Sequence, residues 1–269
     1  MAIQREYLTG LDSEGCAFYQ EAMLALSGAG VPFLVGGAYA FGRYTGIQRH
    51  TKDFDVFVIP ADRERALAAL ERIGCRGERT FPHWLAKAFR DDYFVDVIYS
   101  GGNGLATVDR AWFDHAVADE VLGIPARLVP AEEMIWSKAF VMERERFDGA
   151  DIMHVLHHRA DQLDWPRLLG RFGAQWRVLY SYLVLFGFVY PCQRERVPAA
   201  VMRELAGRLA AELDAPAPPG TPCNGPVISR AQYLIDVEQW GYGDGRLRPA
   251  GAMTAEDVAL WTEAIDTIP

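Results

Sequence analysis

The sequence predicts an α+β chain: a small mixed β-sheet flanked by helices, followed by a helical C-terminal domain. Three observations carry that expectation. Short apolar runs ending in Gly-Gly, Asp-Asp or Gly-rich turns alternate with helix-like segments as far as residue 104. From Pro130 onward only helix-like patterns follow. Half of the 269 residues are hydrophobic and 23% are charged, a balance that can fill a core and argues against wholesale disorder. At roughly 100–200 residues per domain the length allows two small domains. The change of pattern puts them at 1–128 and 129–269.

Residues 13–27 read as a helix, with Ser13 as N-cap and Ala17, Met23, Leu24 and Leu26 among its apolar positions. Residues 31–35 are a short apolar run before Gly36-Gly37, as in a strand entering a tight turn. Residues 38–46 form a short helix or loop, 54–59 a second strand and 61–73 a helix. Residues 83–89 and 93–99 flank Arg90-Asp91-Asp92 as the arms of a hairpin, and 100–104 is a flexible Gly-rich loop. Helices are expected over 130–145, 149–160, 165–173, 175–190, 198–213, 229–239 and 254–266. Residues 214–226 are rich in Pro and Gly and read as a connector.

Lys plus Arg is 27 against 36 for Asp plus Glu, so the net charge is -9. That argues against a general nucleic-acid binder, because phosphate contacts need clustered cations. A local basic patch, or bound metal ions, still allows a nucleotide. The longest strongly apolar run, 178–190, is shorter than the ~20 residues of a membrane-spanning helix. The first residues show no basic stretch followed by an apolar one. A cytoplasmic protein with no membrane partner is expected. Cys16, Cys75, Cys192 and Cys223 stand far apart with no Cys-x-x-Cys pair, so reduced cysteines are expected rather than a zinc or redox motif.

The most informative stretch is 33–59. Gly36-Gly37 ends a strand and lets the backbone approach a ligand closely. Asp53 and Asp55 lie two apart in the next strand, so their side chains share a face. Two carboxylates about 4 Å apart repel by about 4 kcal/mol at an effective dielectric of 20. A bound cation or a raised pKa relieves that cost. Mg²⁺ favours a few carboxylates plus phosphate oxygens. A solvated strand end is the plainer account of an Asp-x-Asp, but Val56, Phe57, Val58 and Ile59 give the strand a buried look. Asp96 interrupts the apolar run of 94–99, where a lone carboxylate is costly unless paired, hydrogen-bonded or metal-bound. A polar anchor for a neighbouring loop would satisfy it equally.

Gly-Gly, then Arg-x-Thr-x-Asp-x-Asp into a strand, then a later strand Asp, resembles the DNA polymerase β-like nucleotidyltransferase superfamily. The variant GGAYA…RHTKDFD looks most like its AbiEii-type and antibiotic-modifying branches. The resemblance covers about 31–100 and continues more loosely to about 160. It implies that Gly36 and Gly37 hold the triphosphate of an NTP such as ATP. It implies that Asp53 and Asp55 bind two Mg²⁺, and that Asp96 binds one of them and helps activate an acceptor hydroxyl. Arg49 and Thr51 join the nucleotide-binding set, Arg49 because its planar fork suits phosphate oxygens. A salt bridge is the other role open to Arg49.

Lys138 falls on the apolar stripe of the expected helix 130–145, between Met134 and Met142. In the resembling enzymes a lysine here reaches the nucleotide phosphates; a stem that packs while its head reaches solvent is the other account. Asp151 is a candidate charge partner for Lys138. Asp151, His154 and His158 fall on one helical face and His157 lies beside them, but their spacing matches no zinc signature. The function implied is transfer of an NMP from an NTP to a hydroxyl. A small-molecule acceptor, or a protein one, suits the acidic chain; a macromolecule such as tRNA would need a basic track, which Arg43, Arg49, Lys52, Lys87, Arg90, Arg144 and Arg146 could supply. The alternative is a non-catalytic nucleotide-binding or interaction module, as in a toxin–antitoxin pair. The oligomeric state stays open.

Overall fold

The computed structural model describes residues 12–49, 53–217 and 219–267. The chain forms two compact units, Met1–Pro130 and Ala131–Pro269.

The first unit runs α1 (Ser13–Gly28), β1 (Leu34–Val35), α2 (Gly37–Thr45), β2 (Asp53–Phe57), α3 (Arg63–Glu71), β3 (Arg76–Phe81), β4 (Leu85–Arg90), β5 (Tyr93–Ile98), α4 (Arg110–Asp114), β6 (Val117–Val121) and β7 (Ile124–Leu128). Its sheet is mixed and seven-stranded, in the order β3-β4-β5-β2-β1-β7-β6. The β2–β5 and β1–β7 pairs are parallel and the others antiparallel. The α+β fold class and the mixed sheet are as the sequence predicts.

β2 shows why the site lies where it does. Its burial alternates, with Phe54 and Val56 fully buried and Asp53, Asp55 and Phe57 half-buried. Tyr19 of α1 stacks on Phe54 at 4.9 Å, so the apolar face of β2 lies under α1. The opposite face carries the two carboxylates and Phe57, which stacks on Trp112 of α4 at 5.5 Å.

Several boundaries differ from the sequence reading. Asp12, not Ser13, caps α1: its carboxylate accepts the Gly15 N–H at 2.8 Å. The hairpin between β4 and β5 turns at Asp91-Asp92, with Arg90 paired to Tyr93. Asp91 adopts φ +52°, a conformation that Asp tolerates better than most residues. Three strands of this unit went unexpected, β3, β6 and β7, as did β8 (Pro222–Cys223) and β9 (Gly243–Asp244) of the second unit. The β6–β7 turn is Leu122-Gly123, both at positive φ as a tight two-residue hairpin turn requires.

The second unit runs α5 (Ala131–Lys138), α6 (Gly149–Arg159), α7 (Trp165–Phe172), α8 (Trp176–Val189), α9 (Ala199–Leu213), β8 (Pro222–Cys223), α10 (Gly225–Ile228), α11 (Leu234–Glu238), β9 (Gly243–Asp244) and α12 (Ala255–Glu263). It is mainly helical, with β8 and β9 as a small parallel pair. α5 ends at Lys138, seven residues before the expected end. Beyond it Met142 bridges Phe147 and donates its N–H to the Ile228 carbonyl at 3.0 Å. Met142 therefore does not continue the helical stripe of Met134 and Lys138. No helix among the described residues is long and apolar enough to cross a membrane. The four cysteines are unbridged.

Candidate active site

Parallel pairing of β2 with β5 sets Asp53 opposite Phe94 and Asp55 opposite Asp96. Residues in register on neighbouring strands face the same side. Asp53, Asp55 and Asp96 thereby offer carboxylate oxygens that all lie within 4.8 Å of one another. Among the described residues this is the one cluster of metal-capable side chains. Asp96 is buried, at 8% exposure, and the other two are half-buried. Burial pushes the Asp96 carboxyl above its ordinary value; Lys87 pulls it back and Asp53 adds to the push.

The Gly-Gly turn lies directly against this cluster. Gly36 donates its N–H to the Asp55 carbonyl at 3.0 Å and opens α2. A Cβ on Gly36 would come within 2.3 Å of the Phe57 ring. Gly37, at φ +52°, is tighter still: a Cβ there would lie 1.7 Å from Oδ2 of Asp55. Only glycine lets the first residue of a helix sit on a carboxylate in this way. The N-terminal, positive end of the α2 dipole is thus beside Asp55.

Sequence reasoning missed one side chain at the carboxylates, Lys87, and one against the opposite face of β2, Tyr39. Lys87 of β4 pairs with Asp96, its Nζ 2.7 Å from Oδ1. The alternation of β4 was the available signal, since Lys87 stands between the buried residues Ala86 and Ala88. Tyr39 of α2 packs edge-on against Phe54. Burial, and then Cys16 and Asp53, hold its phenol well above the ordinary value.

The other expected residues fall as follows. Arg49 is exposed and stacks over the Phe41 ring at 4.4 Å. Thr51 lies outside the described residues. Lys138 belongs to the helical unit, where its Nζ lies 2.8 Å from Asp148 and 2.9 Å from Asp151. The charge pair with Asp151 is present, and Asp148 is a further partner the sequence did not suggest. His158 donates from its Nδ1 to the His154 carbonyl at 2.9 Å, and the histidines form no metal-capable group with Asp151.

The carboxylate cluster fits divalent cations. Three oxygens converge on one small space, the chemistry is that of hard oxygen ligands, and Gly37 keeps the space clear of a Cβ.

Neither a protein-family model nor a curated protein matches the chain. Several solved structures are similar to it. They include the antibiotic-resistance factor ANT(2")-Ia in complex with adenylyl-2"-tobramycin, at 17% identity over 66% of this chain and 99% of that one, TM-score 0.42. The lincosamide antibiotic adenylyltransferase LnuA, lincomycin-bound, is 13% identical over 54% and 97%, TM-score 0.39. An antigenic nucleotidyltransferase-like protein from Paracoccidioides brasiliensis is 14% identical over 72% and 99%, TM-score 0.43. These likenesses concern the fold and reach no further.

Proposed function

We propose that the chain is a nucleotidyltransferase that moves an NMP from an NTP to an acceptor hydroxyl. The observation that carries this reading is the carboxylate trio facing a helix that starts on glycine. Asp53 and Asp55 would hold two Mg²⁺, and Asp96 would share one of them. When bound, such ions stabilise the attacking and leaving oxygens of an in-line displacement. The residues of the chain do the rest. Gly36 and Gly37 admit the polyphosphate to the α2 amides. Arg49 offers a planar fork to its oxygens. Asp96 takes the proton of the acceptor hydroxyl as the new bond to the α-phosphorus forms and pyrophosphate leaves. For Lys138, a phosphate role requires its ammonium to leave Asp148 and Asp151.

The net charge of -9 favours a small acceptor, such as an antibiotic or a metabolite, over tRNA. The Lys87–Asp96 pair gives the second reading, a nucleotide-binding module without turnover, because that carboxylate already has a cation. One experiment separates them. Each α-labelled NTP is supplied with Mg²⁺ and a cell lysate, and the RNA, protein and small-molecule fractions are counted. Label is expected in the small-molecule fraction, and none with Asp53→Ala/Asp55→Ala. NTP binding by calorimetry with no labelled product in any fraction supports the second reading instead.

A further inference from the structure

The register of three adjacent strands places Asp55, Asp96 and Lys87 in one row across the sheet. The ammonium therefore shares a face with the carboxylates. Nζ of Lys87 is also 4.3 Å from the centroid of Phe94, the register partner of Asp53. A ring on one side and a carboxylate on the other hold the lysine head in place. The pair is partly shielded, with the side chains 23% and 11% exposed. Screening by water and salt is weaker there than at the surface. Glu78 continues the row on the far side of Lys87, as its register partner in β3.

A lysine seated on Oδ1 of Asp96 competes with a divalent cation for that carboxylate. Ammonium and dication repel at that range, so both cannot hold the same oxygen without loss. We propose that Lys87 is a positioning residue, the resident counter-ion of the carboxylate site. It fixes Asp96 before a divalent cation arrives and is displaced from Oδ1 when one binds. The inference rests on the metal-site reading above. Its consequence is a site of deliberately modest metal affinity.

Lys87→Met tests this, since it keeps the apolar stem on Phe94 and removes the charge. Lys87→Gln, which keeps a hydrogen-bond donor, carries the same test should the first variant not fold. Mn²⁺ binding without nucleotide is measured by calorimetry on the whole chain, with melting temperatures in parallel. Both variants are expected to bind Mn²⁺ about tenfold more tightly than wild type. Their metal-free melting temperature is expected to fall by a few degrees and to recover with saturating Mn²⁺. Unchanged or weaker Mn²⁺ affinity overturns the role of Lys87 and leaves the metal centre standing. Absence of Mn²⁺ binding in wild type and variants alike overturns the metal centre, and the role of Lys87 with it.

Discussion

Glu133 in α5 and Asp96 in β5 are both buried carboxylates, yet their neighbours differ in sign. Glu133 is fully buried and meets Arg167 at 2.5 and 2.6 Å and Arg171 at 2.9 Å. Glu132 beside it also pairs with Arg167 and accepts the Asp164 N–H at 2.7 Å. Elsewhere in the helical unit Lys138 sits between Asp148 and Asp151, and Arg246 grips Asp244. Asp96 instead meets Asp53 and Asp55 as well as Lys87. Opposite charges buried together satisfy one another. Like charges gathered on one face are eased when a cation binds among them. The sign of the neighbours, rather than burial, separates scaffold from site.

That contrast can be broken at several points. The largest effect is expected from Gly37→Ala, which sets a Cβ 1.7 Å from the Asp55 carboxylate at a positive φ. Turnover should fall about 100-fold or more, read as kcat/KM for the NTP. A near-normal rate would mean that the turn does not shape the site. Next comes Glu133→Ala, which removes the buried carboxylate that Arg167 and Arg171 share. It should cost about 3–5 kcal/mol in urea unfolding, as breaking a buried ion pair does.

Lys138→Met should act through pH. Burial pushes the Asp148 carboxyl up, but Lys138 and Arg146 outweigh it and hold it below the ordinary value. A carboxyl lowered in the folded state stabilises above its unfolded value of about 3.9. That contribution drains away as pH falls through the lower folded value. Acid unfolding of wild type should therefore steepen below about pH 4, and Lys138→Met should flatten that limb. The smallest effect is expected from Glu64→Gln, which breaks an exposed pair with Arg79. It should change stability by less than about 1 kcal/mol. A larger loss would show that exposed opposite charges carry more of the scaffold than this contrast allows.

The trio was legible because its signals are local. Asp53 and Asp55 follow the two-residue period of β2, and Asp96 interrupts an apolar run. Lys87 as the partner of Asp96 was not, because strand register comes from pairing across the sheet, which the sequence of one strand does not state. β3 and β6 escaped for a related reason. They are the two edges of the sheet, and RGERTF and VADEV carry the charges that edge strands use against aggregation. The early end of α5 is a tertiary effect: 139–145 has a helix-like composition, but Met142 is drawn to Ile228 and Lys138 to Asp148 and Asp151.

The most direct test of the central claim is Asp55→Asn, assayed for NTP turnover and thermal stability together. It keeps the volume of the side chain and removes one of three like charges. If the trio is a site and not scaffold, turnover should fall about 1000-fold. The melting temperature should stay at or above that of wild type. Retained turnover with a lowered melting temperature would contradict the account.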